Sequence, residues 1–195
     1  FVGPIEGLHG VAKGAFSPLG ASAFAGKDRR KTVTLLLEAV GAELIRDEVY
    51  SIAMSRYTGN EEVNEALCLN SFGIRCSDAI LNLQDYSFVK GECALLIEEL
   101  QGTTRWEVAP LYEALVGHLA KGPCFFPTRK NQIERWFENS GLRIFAARKD
   151  GRVVGYMAVC DEAETFIANR SDVINICGAY VLEEYRHQGV AKQLL

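Results

Sequence analysis

The chain alternates between segments of strand periodicity and segments of helix periodicity, and this order most constrains its fold. Up to residue 84 the order is strand, helix, strand, helix, strand, with Asp28 and Asn60 predicted as the helix N-caps and residues 74–83 as the last strand. The first helix is predicted to bury an apolar stripe that includes Val33, Leu36 and Leu37, and the second helix to end at Gly73. From residue 93 the order becomes strand, two helices, three strands and a helix. The first of these helices is predicted at about residues 105–121, with Leu111, Leu115 and Leu119 buried. This mixture predicts an α/β (α+β) protein whose sheets are flanked by helices.

Breaks in these patterns predict the domain organisation. Residues 85–92 carry no apolar face and are predicted to link residues 1–84 to residues 93–195. In the second part, Asp150-Gly151 is the strongest hairpin signal in the chain. The last helix begins near His187 and reaches Leu195 with its apolar face unfinished, so we expect an element to be interrupted there and both parts to be incomplete.

Composition argues against several classes of protein. Lysine and arginine total 21 against 25 aspartate and glutamate residues, giving a net charge of -4, so a nucleic-acid partner is not expected. No apolar run approaches the roughly 20 residues that span a bilayer. The six cysteines and three histidines lack ligand spacing, which predicts no metal site and buried free thiols in a cytoplasmic protein. The basic run at residues 27–31 is interpreted as a solvated helical turn, with an anion site as the weaker alternative.

Residues 175–195 carry the clearest functional signal, in the sequence NICGAYVLEEYRHQGVAKQLL. A strand of small and β-branched residues runs into a turn at Gly189 and then into a helix. Glycine allows close backbone approach to an anion, and the unpaired N–H groups at a helix start suit a pyrophosphate. An ordinary strand-to-helix turn remains the alternative. The P-loop and dinucleotide-binding sequence patterns are both absent, which excludes ATP or NAD binding by those routes.

The string Arg186-x-x-Gly189-x-Ala191 matches the (Gln/Arg)-x-x-Gly-x-(Gly/Ala) motif, and this region resembles the GNAT superfamily of acetyl-CoA-dependent N-acetyltransferases. The resemblance implies mixed, mostly antiparallel sheets, acetyl-CoA as cosubstrate, and direct acetyl transfer to a small-molecule or peptide amine of unknown identity. Residues 1–84 resemble the C-terminal half of another such domain but lack the motif. The chain therefore resembles a tandem, two-domain bacterial type with a degenerate N-terminal unit and an acetyl-CoA-binding unit at residues 93–195.

The same resemblance assigns roles to individual residues. The main chain of Ala179, Tyr180 and Val181 is expected to pair with the pantetheine arm, and Ala179 N–H to polarise the thioester carbonyl, making Ala179 and Tyr180 the catalytic candidates. The predicted pyrophosphate site consists of the following residues: Arg186, His187, Gln188, Gly189, Val190, Ala191 and Lys192. For Arg186, phosphate contact and packing of its stem both stay open.

The resemblance leaves the acid–base groups and the acceptor open. Asn175 stands where histone-type members carry a glutamate general base, and an amide cannot accept a proton at neutral pH. Tyr180, Glu183 and Glu184 are the nearby polar candidates, with solvated roles favoured for both carboxylates. The acceptor-pocket candidates Phe125, Phe126 and Trp136 are more typical of a core. A non-catalytic acyl-CoA-binding or regulatory module is therefore the alternative function.

Overall fold

A computed structural model describes residues 2–5, 13–87, 95–122, 131–161 and 172–195. The described residues divide into two compact units, one up to Ser77 and the other from Asp78 onward. Residues 88–92 of the predicted linker, Phe125 and Phe126 lie outside the described residues, as do Cys93 and Cys124.

The first unit is built on a three-stranded sheet with a parallel pair. Strands β1 (Val2–Ile5), β2 (Gly14–Ser17) and β3 (Ser51–Met54) lie in the order β1-β2-β3. β1 is antiparallel to β2, whereas β2 and β3 are parallel and are connected through helix α1 (Arg29–Arg46). Helix α2 (Glu61–Leu69) follows β3. A helical crossover is the usual way to connect two parallel strands, which accounts for the length of α1.

Both predicted N-caps of this unit are confirmed. The Asp28 carboxylate accepts a hydrogen bond from the Lys31 main-chain N–H at 2.9 Å, and the Asn60 side chain accepts one from Val63 N–H at 3.2 Å. The predicted end of α2 at Gly73 is wrong, because the helix ends at Leu69 and the chain then turns through Ser71 at a φ of 69°.

The buried face of α1 is narrower than its periodicity predicts. Val33 is fully buried with Val63, Ala66 and Leu67 of α2, but Leu36 remains 45% exposed. One neighbouring helix covers only one side of α1 in this unit, so the rest of the apolar stripe stays at the surface.

The predicted strand at residues 74–83 is wrong. Residues 74–82 pair with no strand among the described residues, and a short 3₁₀ helix follows at Leu83–Asp85. Ile74, Ile80 and Leu81 are all more than half exposed. Alternating apolar residues favour a strand, but a strand also needs a neighbouring strand to bond with, and the sequence pattern does not show whether one is available.

The second unit has an antiparallel sheet flanked by helices, which confirms the predicted fold class. Its strands lie in the order β4-β5-β6-β7. The strands are β4 (Leu96–Leu100), β5 (Arg143–Lys149), β6 (Arg152–Cys160) and β7 (Asn175–Val181). The helices are α3 (Ala109–Leu119), α4 (Gln132–Glu138) and α5 (Val190–Leu194), and a 3₁₀ helix at Gly102–Val108 leads into α3.

The hairpin predicted at Asp150-Gly151 joins β5 to β6. Both residues adopt left-handed conformations, with φ values of 51° and 81°, as a two-residue turn with the right-handed twist of its strands requires. The helix predicted at residues 105–121 is also present, although its first turn is 3₁₀. Leu119 was expected in the core and is instead 43% exposed near the end of α3.

Strand β6 is buried on both faces and forms the centre of this unit. On one face its side chains pack with α3 and α4, in a core that includes Val108, Leu111, Phe137 and Tyr156. On the other face Val154 and Met157 pack with Val190 and Leu194 of α5. The short helix α5 is therefore fixed to the sheet by its apolar residues.

The cysteines depart from the prediction of buried thiols. Cys68, Cys76 and Cys177 are exposed and Cys160 is half-buried, and in the part of the chain described all four are in the thiol form. In the part of the chain that the structure describes, no helix is long and apolar enough to cross a membrane.

Candidate functional site

Strand β7 is the last strand of its sheet, so one of its edges has no neighbouring strand among the described residues. The Leu182 N–H donates to the Val154 carbonyl of β6 at 2.9 Å. Main-chain groups of a strand alternate in direction, so those of Tyr180 also face β6, whereas those of Ala179 and Val181 face away from it. The predicted pantetheine partners Ala179 and Val181 thus lie on an open edge, and the Tyr180 main chain does not.

The segment after β7 turns twice through left-handed backbone. A 3₁₀ turn at Glu183–Tyr185 is followed by His187 at a φ of 63° and Gly189 at a φ of 79°. Alternation of this kind points successive N–H groups toward one side of the chain, which is the geometry of an anion-binding concavity.

The main-chain N–H groups of residues 187–192 donate to no protein acceptor within the described residues. Gly189 occupies the N-cap of α5, and no side chain supplies the capping hydrogen bond. A Cβ placed on Gly189 would meet no atom within 4 Å, so the space in front of it is open. These amides are available to an external acceptor.

Two side chains of the predicted site stabilise the turn itself. The Arg186 Nε donates to the Val181 carbonyl at 3.1 Å, and its guanidinium lies 5.3 Å from the centre of the Tyr180 ring. The Gln188 Nε2 donates to the Glu184 carbonyl at 2.8 Å. Arg186 therefore binds the Val181 carbonyl, which points away from β6. The Val181 N–H also points away from β6 and lies on the open edge of β7.

Close packing at Gly155 holds α5 and the end of β7 against strand β6. A Cβ on Gly155 of β6 would lie 3.1 Å from Val190 Cγ1 and 3.2 Å from the Tyr180 carbonyl oxygen. Only glycine allows α5 and β7 to approach β6 this closely. Arg152 and Glu184 add an exposed ion pair at 3.3 Å between β6 and the turn.

The polar residues considered for proton transfer occupy different environments. The Asn175 Nδ2 donates to the Asp161 carbonyl at 3.2 Å and to the Cys160 carbonyl at 3.5 Å, so this amide ties β7 to the end of β6. Glu183 and Glu184 are exposed, and Glu184 pairs with Arg152.

An aromatic cluster that the sequence did not reveal lies under β7. Trp136 stacks on Tyr112 with ring centres 4.3 Å apart and meets Tyr156 edge to face at 5.9 Å, which confirms it as a core aromatic. Tyr156 is fully buried, and its hydroxyl has no hydrogen-bond partner among the described residues. A Cβ on Gly178 would lie 3.4 Å from that hydroxyl, and burial raises the pKa of Tyr156 well above its usual value. Only the periodicity of β6 could have indicated that Tyr156 faces inward.

Cys177 of β7 lies beside this cluster. Its thiol lies 3.5 Å from the Ala158 carbonyl oxygen, and burial of the sulfur together with a hydrogen bond to Cys160 raises the pKa of the thiol to about 12. A thiol in this state is not a nucleophile at neutral pH. Among the described residues, no three histidine, cysteine, aspartate or glutamate side chains are grouped to hold a metal ion.

Comparison with known proteins gives a family for the second unit. Residues 106–195 match the acetyltransferase (GNAT) family. A search of curated proteins found no match. Two solved structures with similar regions are the ribosomal-protein-alanine N-acetyltransferase of Brucella melitensis biovar Abortus 2308 and the aminoglycoside N-acetyltransferase AAC(6')-Iy, the latter solved with a bisubstrate analogue and with CoA.

The extent of these similarities is limited. The Brucella enzyme is 26% identical over 52% of this chain and 66% of its own length, with a TM-score of 0.39. AAC(6')-Iy is 23% identical over 52% of this chain and 67% of its own length, with a TM-score of 0.37. The matched region thus spans about two thirds of each enzyme. Residues 106–195 of this chain are therefore similar to the GNAT acetyltransferase family.

Proposed function

We propose that the chain transfers an acetyl group from acetyl-CoA to an amine. One observation carries the proposal: within a segment that matches the GNAT family, six consecutive main-chain amides, at residues 187–192, have no protein acceptor among the residues that the structure describes. They directly follow a strand whose outer edge is open. Unsatisfied amides favour a ligand that accepts several hydrogen bonds, and a diphosphate does so with a negative charge.

The residues around the turn fit a diphosphate. The left-handed His187 and Gly189 direct amides to one side, and the open space at Gly189 lets an oxyanion come close to the backbone. Lys192 is exposed one turn further on and would add a positive charge. Arg152 partly neutralises Glu184, which lowers the repulsion that this carboxylate would exert on a phosphate.

The open edge of β7 fits the remainder of the cosubstrate. The outward groups of Ala179 and the Val181 N–H are free to pair with an extended amide-containing chain as a neighbouring strand would. Acetyl-CoA supplies a thioester, an activated acyl donor. In our proposal the Ala179 N–H donates to the carbonyl oxygen, where negative charge develops when the amine nitrogen attacks the carbon. A C–N bond forms, the C–S bond breaks, and the sulfur leaves as thiolate while the amine gives up a proton.

In our proposal Asn175 does not remove the proton of the amine. An amide cannot act as a base at neutral pH, and its Nδ2 already donates to two carbonyls at the end of β6. We propose that the amine binds in its neutral form or loses its proton to water.

Asn175 also favours a second candidate function, a non-catalytic acyl-CoA-binding or regulatory module. Such a module would need the same amides and the same strand edge but no base. A thiol-release assay with a panel of primary amines, including peptides and aminoglycosides, separates the two. Release that depends on any amine excludes the non-catalytic module, and binding without release against the whole panel excludes the enzyme.

Binding itself is tested by isothermal titration of the chain with acetyl-CoA. We expect a saturable complex at one site per chain, and desulfo-CoA, which keeps the diphosphate, should compete for it. Absence of binding would rule out both candidate functions. A cytoplasmic location stays a prediction, based on the thiol form of Cys68 and Cys177.

A further inference from the structure

The first unit contains a pocket that the acetyltransferase proposal does not use. It has a volume of about 200 Å³ and is lined by two segments, residues 20–24 after β2 and residues 56–63 after β3. β2 and β3 are parallel, so both segments leave the carboxyl edge of the sheet. In open sheets with helical crossovers, this edge is the usual place for a ligand.

Arg56 lies in the wall of this pocket and has no carboxylate partner among the described residues. It is half-buried, and its Nη1 contacts the Asn64 Oδ1. Burial lowers the pKa of Arg56, with no neighbouring charge acting against it. Removing a cation from water without a counter-charge is unfavourable, so this site favours an anion.

The position of Arg56 is fixed by its neighbour. While the Asn64 Oδ1 contacts the guanidinium, the Asn64 Nδ2 donates to the Thr58 carbonyl at 3.0 Å. One amide therefore holds both the arginine and the loop that borders the pocket. A guanidinium has five N–H donors, and one contact leaves most of them for a ligand.

Two of the three acidic residues of α2 form ion pairs with arginines of α1. Glu62 pairs with Arg29 at 3.6 Å, and Glu65 pairs with Arg30. These ion pairs link α1 to α2 and account for part of the basic run at residues 27–31. Arg56 differs from Arg29 and Arg30 because its charge is left uncompensated within the part of the chain described.

The floor of the pocket is apolar and belongs to the core of the unit. Val63 is fully buried, and Phe24 packs against the same cluster. Gly20 and Gly59 line the walls, and a Cβ on either would meet no atom within 4 Å, so the entrance is not obstructed by side chains at these positions. A cavity of about 150 Å³ holds benzene, so this pocket accommodates a ring of that size.

We propose that this pocket binds a small organic carboxylate whose apolar group rests on Phe24 while Arg56 holds the carboxylate. The planar guanidinium matches a carboxylate in a bidentate pair, which supplies both charge and orientation. The proposal does not rest on the acetyltransferase function, since it concerns residues of the first unit alone.

Isothermal titration of the full chain with acetate, isobutyrate and benzoate at millimolar concentration tests the proposal. Benzamide is the matched control ligand, because it has nearly the shape of benzoate without the charge. We expect at least one carboxylate to bind and benzamide to bind at least about tenfold more weakly than benzoate. Failure of all three carboxylates to bind, or equal binding of benzoate and benzamide, would overturn the site.

Two variants locate the binding. Arg56→Gln should weaken the carboxylate complex at least about tenfold. Gly59→Glu should do the same without altering Arg56, because it places a negative charge in the pocket wall. Arg46→Gln is the control, since Arg46 is an exposed residue of α1 that pairs with Glu43. Carboxylate binding that is unchanged in both pocket variants, with native circular dichroism, would contradict the assignment.

Discussion

Two of the strand-to-helix junctions in this chain, β2 into α1 and β7 into α5, differ in how the first amides of the helix are satisfied. At the first, Asp28 caps α1 and its carboxylate accepts from the Lys31 N–H at 2.9 Å. At the second, Gly189 stands at the cap and contributes no side-chain acceptor. The start of the first helix is satisfied by the protein's own carboxylate, whereas the amides at the start of the second bond to no acceptor in the described parts of the chain.

The difference shows what separates a structural junction from a binding junction. A helix start favours negative charge because its first N–H groups have no partner in the helix. A capping aspartate satisfies that preference permanently and repels a second anion. A glycine in the left-handed conformation supplies no acceptor for the first N–H groups of the helix and leaves the space in front of them open. The missing cap lowers the stability of the folded chain.

The largest expected effect is on acetyl-CoA binding, from a substitution that fills the space in front of Gly189. Gly189→Val should weaken acetyl-CoA binding by about 100-fold or more, because the side chain enters the space in front of the amides and the residue disfavours a φ of 79°. Isothermal titration measures the change. Gly151→Val is the matched control, since Gly151 has a φ of 81° and equally open surroundings at the hairpin. Equal acetyl-CoA affinities of the two variants would contradict the assignment of the amides.

A second, smaller effect is expected on the free energy of unfolding, at Gly155, where β6 packs against Val190 and Tyr180. Gly155→Ala should lower the free energy of unfolding by about 1–3 kcal/mol, because the methyl group would overlap Val190 and the Tyr180 carbonyl. Denaturant titration gives the value. Gly117→Ala is the control, since Gly117 lies within α3 with nothing within 4 Å and should gain about 0.5–1 kcal/mol instead. A Gly155→Ala variant as stable as the native chain would show that α5 is not held by this contact.

At the junction that Asp28 caps, we expect a substitution to change the free energy of unfolding. Asp28→Ala removes the acceptor for Lys31 N–H and should cost about 1 kcal/mol of unfolding free energy. Glu38→Ala, an exposed change within the same helix, should stay within about 0.5 kcal/mol. A cost for Asp28→Ala no larger than that of the control would mean that the cap contributes nothing and that the comparison of the two junctions is unfounded.

The smallest effect concerns Tyr156 beneath β7. Its buried hydroxyl has no hydrogen-bond partner within the described ranges, so Tyr156→Phe should keep the free energy of unfolding or raise it by up to about 1 kcal/mol at neutral pH. Burial raises the pKa of Tyr156 in the folded chain above the unfolded value of about 10. Unfolding then releases a proton at alkaline pH, so native stability should fall as pH rises past about 10, and less so in the variant. A destabilised variant with the same alkaline decline would show that the hydroxyl is bonded.

Features encoded by neighbouring residues were predictable from the sequence. The caps Asp28 and Asn60, the Asp150-Gly151 turn and the position of Gly189 before a helix all depend on contacts within a few residues. The strand expected at residues 74–83 and the burial of Leu36 and Leu119 failed because they depend on what packs alongside. For the same reason, the pocket at Arg56 and the unpaired hydroxyl of Tyr156 could not be predicted, since each joins elements distant in sequence.

The central claim is that the main-chain amides at residues 187–192 hold the diphosphate of acetyl-CoA. Titration of a ¹⁵N-labelled chain with CoA, followed by amide chemical shifts, tests it residue by residue. We predict the largest shifts at Gly189 and its neighbours, with little change at Lys31, whose N–H is already bonded to Asp28. Saturable binding of CoA that leaves the amides of residues 187–192 unmoved would contradict the account.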